Sequence, residues 1–507
     1  TQYLSGSNSF NNLNIDADIV LKNDQDIWGV FTLNTGGLDV NGNILTLKSD
    51  SVKTGSVFHN SGNIIGDVTL ERFVNHSSSN WFGYHYFCAP IENVTLAQID
   101  DDLTLKGLGG NVSSSPFPNI WYYDETVVST DFLDGWLVPN DVTDNMVTMK
   151  GYALSMYNDF KLDFIGTLNS GNYSIPVTRT SSGNENADGW NFVGNPYPSA
   201  IDWDNVTLPS GIDNAVYFWD ESIVQYASYV DGVGVNEGTK YISSSQGFYI
   251  HATSNATFSL TNACRTVGGD NGEFWKTGGQ VDFTETIKLK LMGEGYQDEL
   301  AIRFLAASTL NFDPEFDAYK VESGDPNAPV FCTEVNGDKV SINSLDSLDG
   351  TRSEPLFFET SLSGNYTIEI SQKGYFDPSF TIELEDTKTG IFHNLETEGA
   401  YSFTYLIADN VNRFILHFNN YITGISESSN ETVEISSYQN NVRLTGLNNQ
   451  KADVKILDMM GRETHLSSFS NEYSKEIQLP QSANGYYLIQ LNINGTLITE
   501  KVFINHH

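Results

Sequence analysis

Cysteine is almost missing from this chain. Cys88, Cys264 and Cys332 are the three among 507 residues. Their spacing draws neither a disulfide framework nor a CxxC metal pair, so they read as small buried hydrophobes. Long apolar runs are missing too, since nothing reaches the roughly 20 residues a spanning helix needs. The opening TQYLSGSNSF lacks the basic and apolar regions of a signal peptide and reads as the start of a processed or excised, soluble piece. Cations are scarce, with 26 Lys+Arg against 64 Asp+Glu and a net charge of −38. Such a surface repels phosphate backbones and anionic lipid, which argues against nucleic-acid partners and membrane insertion. Catalytic signatures are also missing: no HExxH, G-x-S-x-G, Walker loop or dinucleotide fingerprint occurs. His85, His251 and His417 fall inside strand patterns and read as satisfied core or face residues. No catalytic residue and no cofactor is nominated, and the expectation is a protein that is not an enzyme.

What is present is alternation. Ile287-Lys288-Leu289-Lys290-Leu291 and Phe414-Ile415-Leu416-His417-Phe418 have period two, and turn residues recur every 8–12 positions. That pattern predicts an all-β, multi-domain protein. Residues 1–72 carry short strands and Asn-Gly turns such as Asn41-Gly42, which suit a few β-solenoid rungs or a meander. Residues 276–425 hold enough strands for a separate β-sandwich. The polar stretch 422–432 reads as a linker to a compact unit at 431–507.

Residues 73–270 are duplicated. NIWYYDE (119–125) parallels AVYFWDE (215–221), and KGYALSM (150–156) parallels QGFYIHA (246–252). One offset of 96 separates Trp121 from Tyr217 and Gly151 from Gly247, giving copies at about 73–170 and 171–270. Each copy also has an aromatic strand ending in proline: WFGYHYFCAP in the first and GWNFVGNPYP in the second. The longer stretch GWNFVGNPYPSAIDW (189–203) reads as a rigid corner, because each proline fixes φ and restricts its predecessor. Gly194-Asn195 is expected to supply a positive-φ turn. A stacking platform for sugars formed by Tyr197 and Trp203 is the alternative role.

The tail contains VKILDMMGRE, then LPQSANGYYLIQL, then ITEKVFI, in that order at the C-terminus. These blocks resemble the type A C-terminal sorting domain of type IX secretion cargo in Bacteroidota. The positions carrying the likeness are Asp458, Gly461, Gly485, Tyr487 and Lys501. The resemblance implies an Ig-like seven-stranded sandwich that is the outer-membrane export and surface-attachment signal. Its implied partners are the type IX machinery and a sortase-like peptidase that cuts within 422–432. The upstream modules are similar, more loosely, to those of large cell-surface adhesins. Gly485 is expected to have a positive φ, so that a side chain there would clash or distort the strand.

Two further features are candidates only. Acidic stretches at 16–26, 99–104, 200–205 and 312–317 could offer oxygen ligands to Ca²⁺, though none has EF-hand spacing. Ser51 and Ser347 fit the Asp-Ser-hydrophobic pattern of O-glycosylation in the implied phylum. The expectation is thus a non-enzymatic surface protein, an adhesin or surface-structure component, contacting surface glycan or other cells. The alternative is a carbohydrate-binding region of an extracellular polysaccharide-degrading enzyme.

Overall fold

A computed structural model describes residues 2–504 apart from 60–61, 77–82, 128–130, 185–186, 267–284, 379, 421–432, 439, 446, 448–449, 471, 480–483 and 494–495. Strands dominate, and Ala97–Asp100 is the one α-helix among the described residues. Two compact units separate: 1–377 with 381–419, and 420–507 with 378–380. The expected linker at 422–432 lies outside the described residues.

The first residues wind into a three-sided β-solenoid. Parallel pairing stacks Gln2 on Ile19, Asn8 on Gln25 and Leu13 on Phe31, one rung apart on three different sheets. Parallel neighbours exclude the meander. Each short strand turns its apolar residues inward, so Ile15, Leu21, Ile27, Phe31, Leu33, Leu45 and Leu47 fill the bore. At the corners, Asn and Asp side chains accept backbone N–H groups from the next rung: Asn12 from Val30, Asp18 from Gly37 and Asp24 from Ile44, all at 2.8–2.9 Å. Asn41 and Gly42 do have positive φ. They turn a solenoid corner, however, because the strands on either side (Leu38–Asp39 and Leu45–Leu47) belong to different sheets.

The last rung strand, Val68–Val74, pairs antiparallel with Phe160–Gly166 and so splices the solenoid to the duplicated region. Both copies there show one layout. The first sheet runs Tyr84–Phe87, Tyr152–Ser155, Ile120–Tyr123, Trp136–Leu137; the second runs Trp190–Gly194, Gly247–His251, Val216–Asp220, Gln225–Val230, Val233–Val235. Register matches as well. Trp121 lies opposite Ala153, and Tyr217 lies opposite Tyr249, at the same offset of 96. Tyr86 and Phe192 are equivalent, since they oppose Ala153 and Tyr249.

The copies meet reciprocally. Phe87 bridges Gln246 and Lys150 bridges Val193, which is one contact made twice with the copies exchanged. That is the signature of a pseudo-twofold axis. Equivalent residues touch along it: the rings of Tyr86 and Phe192 are 4.6 Å apart. A Cβ at Gly194 would lie 2.3 Å from Cβ of Cys88, its equivalent. The glycine is therefore required by close approach. Neither Gly194 nor Asn195 has the expected positive φ among the residues that do.

Residues 286–420 form one eleven-stranded sheet that folds over itself. Phe358, from the middle of the strand order, meets Tyr366, Phe403 and Tyr405 from one end at ring separations of 4.6–5.9 Å. This is a two-layer sandwich, but its core is not separate. Ala301, Ala318 and Ile342 share a cluster with Trp190, Tyr217 and Tyr249. Likewise, one cluster joins Leu21 and Leu47 of the solenoid to Phe87, Leu154 and Leu162 of the first copy. The boundaries read near 72 and 270 thus mark changes of element rather than of core. Alternation reveals which face of a strand is apolar, but not which neighbour covers it.

Polar residues bind the same junction. Lys320 Nζ, fully buried, lies 2.6 Å from Asp298 Oδ1 and 3.1 Å from Gln225 Oε1 of the second copy. Asn236 of that copy donates to the same carboxylate at 2.9 Å, and Phe331 N–H donates to its other oxygen at 2.8 Å.

Among the described residues the tail unit has seven strands, in a three-stranded and a four-stranded sheet. Val442, Leu444 and Ile477 of one sheet pack with Val454, Ile456, Ile489 and Leu491 of the other in a self-contained core. The alternate residues of Gly485–Ile493 point inward as their period requires, with Tyr487, Ile489, Leu491 and Ile493 buried.

Candidate functional site

The corner at 189–203 is fully assembled and wholly interior. Asn195 is the hub. Its Nδ2 donates to the carbonyls of Ser199, Ile242 and Ser243 at 2.9–3.1 Å, and its Oδ1 accepts from Tyr197 N–H at 3.0 Å. The carbonyls the prolines leave behind are used as well: Pro196 O accepts from Asn169, and Pro198 O from Val57 N–H of the solenoid. Tyr197 is 0% exposed and Trp203 2%. Their polar atoms are spent inside, Tyr197 Oη on Gly171 O and Trp203 Nε1 on Asn214 O, both at 2.7 Å. The stacking-platform role is therefore corrected: a ring with no exposed face cannot receive a sugar. Replacing Asn195 with alanine removes four buried hydrogen bonds to backbone groups, although Ser243 O keeps Gln246 N–H. At roughly 1–3 kcal/mol each, partly relieved by relaxation, the expected loss is about 3–5 kcal/mol by denaturant titration.

An aromatic-floored cleft opens nearby. It has a volume of about 520 Å³ and lies where three parts of the larger unit converge. The first copy contributes Asp131 and Phe132, the second Arg179, Trp190 and His251, and the long sheet Tyr319 and Lys339. Trp190 packs edge-on against Tyr319 at 6.1 Å, and Tyr319 stacks on Phe312 at 4.1 Å. Burial, reinforced by the Asp213 charge, raises the Tyr319 hydroxyl, so it stays a donor at neutral pH. Burial raises Asp188 too, but the donors Ser182 and Thr180 and the Arg179 charge outweigh it and hold that carboxyl below its usual range.

His251 is fixed on both sides. Its Nδ1 lies 2.5 Å from Asp213 Oδ2, while Nε2 lies 3.1 Å from Arg179 Nη1 and 3.2 Å from Asp188 O. This is the satisfied histidine expected from the strand pattern, and the carboxylate orients the ring. His417 is satisfied at the surface by Ser353 and Glu385. Sequence reasoning missed the cleft itself, because Phe132, Arg179 and Tyr319 are brought together by long-range packing and share no spacing.

The acidic stretches are largely committed elsewhere. Asp100 accepts from Leu105 N–H, Asp202 pairs with Lys240, and Asp317 accepts from Asp313 and Ser344 N–H. Burial raises Asp317 to about 6. Ser51 is exposed on a bend, and Ser347 is exposed in the irregular stretch just after one.

In the tail, Asp458 closes a tight turn. Its carboxylate accepts from Met460 and Arg462 N–H and from Arg462 Nε at 2.8–3.0 Å, and these donors hold it below the usual carboxylate range. Gly461 completes the turn at φ 77°, where a side chain is disfavoured. Lys501 sits over the Tyr486 ring at 4.8 Å, with Phe503 alongside at 5.1 Å. Tyr487 belongs to the core. The expected clash at Gly485 is corrected: its φ of 159° is close to extended, and nothing lies within 4 Å of a Cβ built there.

With these features in place, comparison with known proteins identifies the chain's family. Residues 34–418 match a domain of unknown function, DUF8693, and the chain belongs to that family. Residues 420–505 match the secretion system C-terminal sorting domain. The chain is therefore type IX secretion cargo, destined for the cell surface or the extracellular space. No helix among the described residues is long and apolar enough to cross a membrane. No curated protein matches. Among solved structures, one titled "Biofilm associated protein - BSP domain" is 9% identical, covering 86% of this chain and 96% of that chain at a TM-score of 0.13. The 47-kilodalton lipoprotein Tp47 of Treponema pallidum is 8% identical, with coverages of 83% and 100% and a TM-score of 0.11. At those TM-scores neither likeness bears on the function.

Proposed function

We propose that this secreted chain is a non-enzymatic, adhesin-class surface protein that holds glycan in the cleft between the duplicated module and the long sheet. The observation that carries this reading is the cleft's composition. Phe132 and Tyr319 offer ring surface backed by the buried Trp190, while Arg179, Lys339 and Asp131 supply donors and acceptors at its margins. Saccharides are bound by that combination of apolar ring contact and a few placed polar groups. Absence of catalysis is supported by the state of the titratable groups. Both His251 nitrogens already have neighbours, and Glu322 is neutralised by Lys339 at 2.8 Å. On this reading Ser51 and Ser347 are reachable for glycosylation, and a sortase-like peptidase of the Bacteroidota surface is the partner that processes the tail.

The test is a glycan array probed with the full chain and with Phe132→Ala. Saturable binding to a set of glycans, weakened about 10-fold or more in the variant, is the expected outcome; loss of one aromatic face costs about 1.5 kcal/mol. Release of reducing ends from any bound glycan would contradict the non-enzymatic reading and favour a polysaccharide-degrading one. Binding by neither protein would remove the glycan assignment.

A further inference from the structure

The duplication provides an internal comparison that exposes a second site. Each copy carries a buried glutamate at the end of its parallel motif, Glu125 in NIWYYDE and Glu221 in AVYFWDE. In each case the carboxylate reaches across to the other copy. Glu125 Oε1 accepts hydrogen bonds from Gly189 N–H at 2.8 Å, from Thr180 N–H at 2.5 Å and from Thr180 Oγ1 at 2.9 Å. Its Oε1 is fully engaged in this way, while Oε2 is buried with no hydrogen-bond partner among the described residues, and no imidazole stands against either oxygen in the hydrogen bonds and ion pairs it makes.

Glu221 has different neighbours. His76 Nδ1 lies 3.4 Å from its Oε2, and His85 Nε2 lies 3.4 Å from its Oε1. Counting along the matched aromatic strands, Gly83 takes the place of Gly189 and His85 the place of Asn191. Asn191 hydrogen-bonds Thr178 O and Gly189 O at 2.8–2.9 Å. His85 is 2% exposed, yet among the described residues neither of its ring nitrogens has a hydrogen-bond partner, and the same is true of His76 Nδ1. A buried polar group left in that condition costs about 1–3 kcal/mol, so a pair of them calls for an explanation.

The spacing supplies one. At 3.4 Å the imidazole–carboxylate pairs are too long for good hydrogen bonds. A tetrahedral ion with ligand distances of about 2.0–2.1 Å has ligand–ligand edges of about 3.3–3.4 Å. One ligand atom from each of the three residues lies within 4.8 Å of the others. Gly83 keeps the space open, because a Cβ there would lie 2.5 Å from His76 Nδ1 and 2.8 Å from a Glu221 oxygen.

We infer that His76, His85 and Glu221 bind one divalent first-row transition ion, Zn²⁺ being the best match to a two-imidazole, one-carboxylate set. Ca²⁺, the candidate ion for the acidic stretches, prefers oxygen ligands throughout and fits this set poorly. The ion ties three elements together: the exit of the last solenoid strand, the aromatic strand of the first copy and the loop after Val216–Asp220 of the second. Its role is a structural staple across the pseudo-twofold junction, independent of what the cleft binds.

The experiment titrates Zn²⁺ into the full chain carrying His506→Ala and His507→Ala, which removes the terminal imidazoles as competitors. Calorimetry should give one Zn²⁺ per chain, and saturation should raise the unfolding midpoint. His85→Asn installs the residue found at the equivalent position of the second copy, and it should weaken binding about 100-fold or more and abolish the thermal shift. His76→Ala, at the edge of the cluster, is a second variant that perturbs the core less and should behave alike. Each variant is first checked for native circular dichroism. No saturable Zn²⁺ binding by the folded chain, or unchanged stoichiometry and affinity in whichever variant folds, would overturn the assignment.

Discussion

A chain truncated after residue 419 folds, is held in the periplasm, and is absent from the surface of a host with a type IX machinery. The expectation rests on two observations. The sorting domain matches 420–505, and the tail has a core of its own built from Val454, Ile456, Ile489, Leu491 and their neighbours. Among the described residues, the apolar clusters of the other compact unit, 1–377 with 381–419, contain no residue beyond 419. Surface labelling of intact cells should fall to background while total protein in a periplasmic extract is retained. A truncated chain that still labels at the surface would show that export information lies elsewhere. Disappearance of the truncated chain from both fractions would instead contradict the independence of the two cores.

The second large effect concerns the junction between the duplicated module and the long sheet. Lys320→Met removes the ammonium that neutralises Asp298 in the interior, leaving a buried carboxylate with hydrogen-bond donors but no counter-charge. Breaking one side of such a pair costs about 3–5 kcal/mol. Because Gln225 and Asn236 of the second copy belong to the same network, the loss should appear in one cooperative unfolding transition of the whole larger unit. Had the long sheet been a separate domain, its transition would split from that of the duplicated module, and the variant would shift only one. Differential scanning calorimetry distinguishes these outcomes. A single transition displaced downwards agrees with the shared core, and two transitions with one displaced refute it.

The fold class was legible because period-two alternation and closely spaced turn residues have few other solutions. The duplication was legible from four short strings and one offset, and pairing in the structure places Trp121 and Tyr217 at matched positions in matched sheets. What could not be read was which face covers which. The stretch GWNFVGNPYPSAIDW offers two exposed-looking aromatics in sequence, but Tyr197 and Trp203 are enclosed by residues from the solenoid and from strands some 50 residues away. The cleft was invisible for the converse reason. Phe132 opens a four-residue 3-10 turn, Arg179 stands in a loop, and Tyr319 lies in a two-residue strand. His85 and Glu221 were each in view, one as a strand histidine and one as the last residue of a repeated motif. Only the pseudo-twofold arrangement sets them side by side, and only comparison with Asn191 and Glu125 marks them as unusual. In the tail, Asp458 and Gly461 were named only through the family resemblance, and the structure adds that they share one turn, whereas the reason for Gly485 is not visible in its surroundings.

The central claim is that the folded tail is sufficient for export. Fusing residues 420–507 to a fluorescent protein carrying a Sec signal, and following it in a host with the type IX machinery, tests this most directly. The account predicts a fusion that leaves the periplasm and becomes accessible to protease added outside intact cells. A correctly folded fusion that remains protease-protected in the periplasm would contradict it.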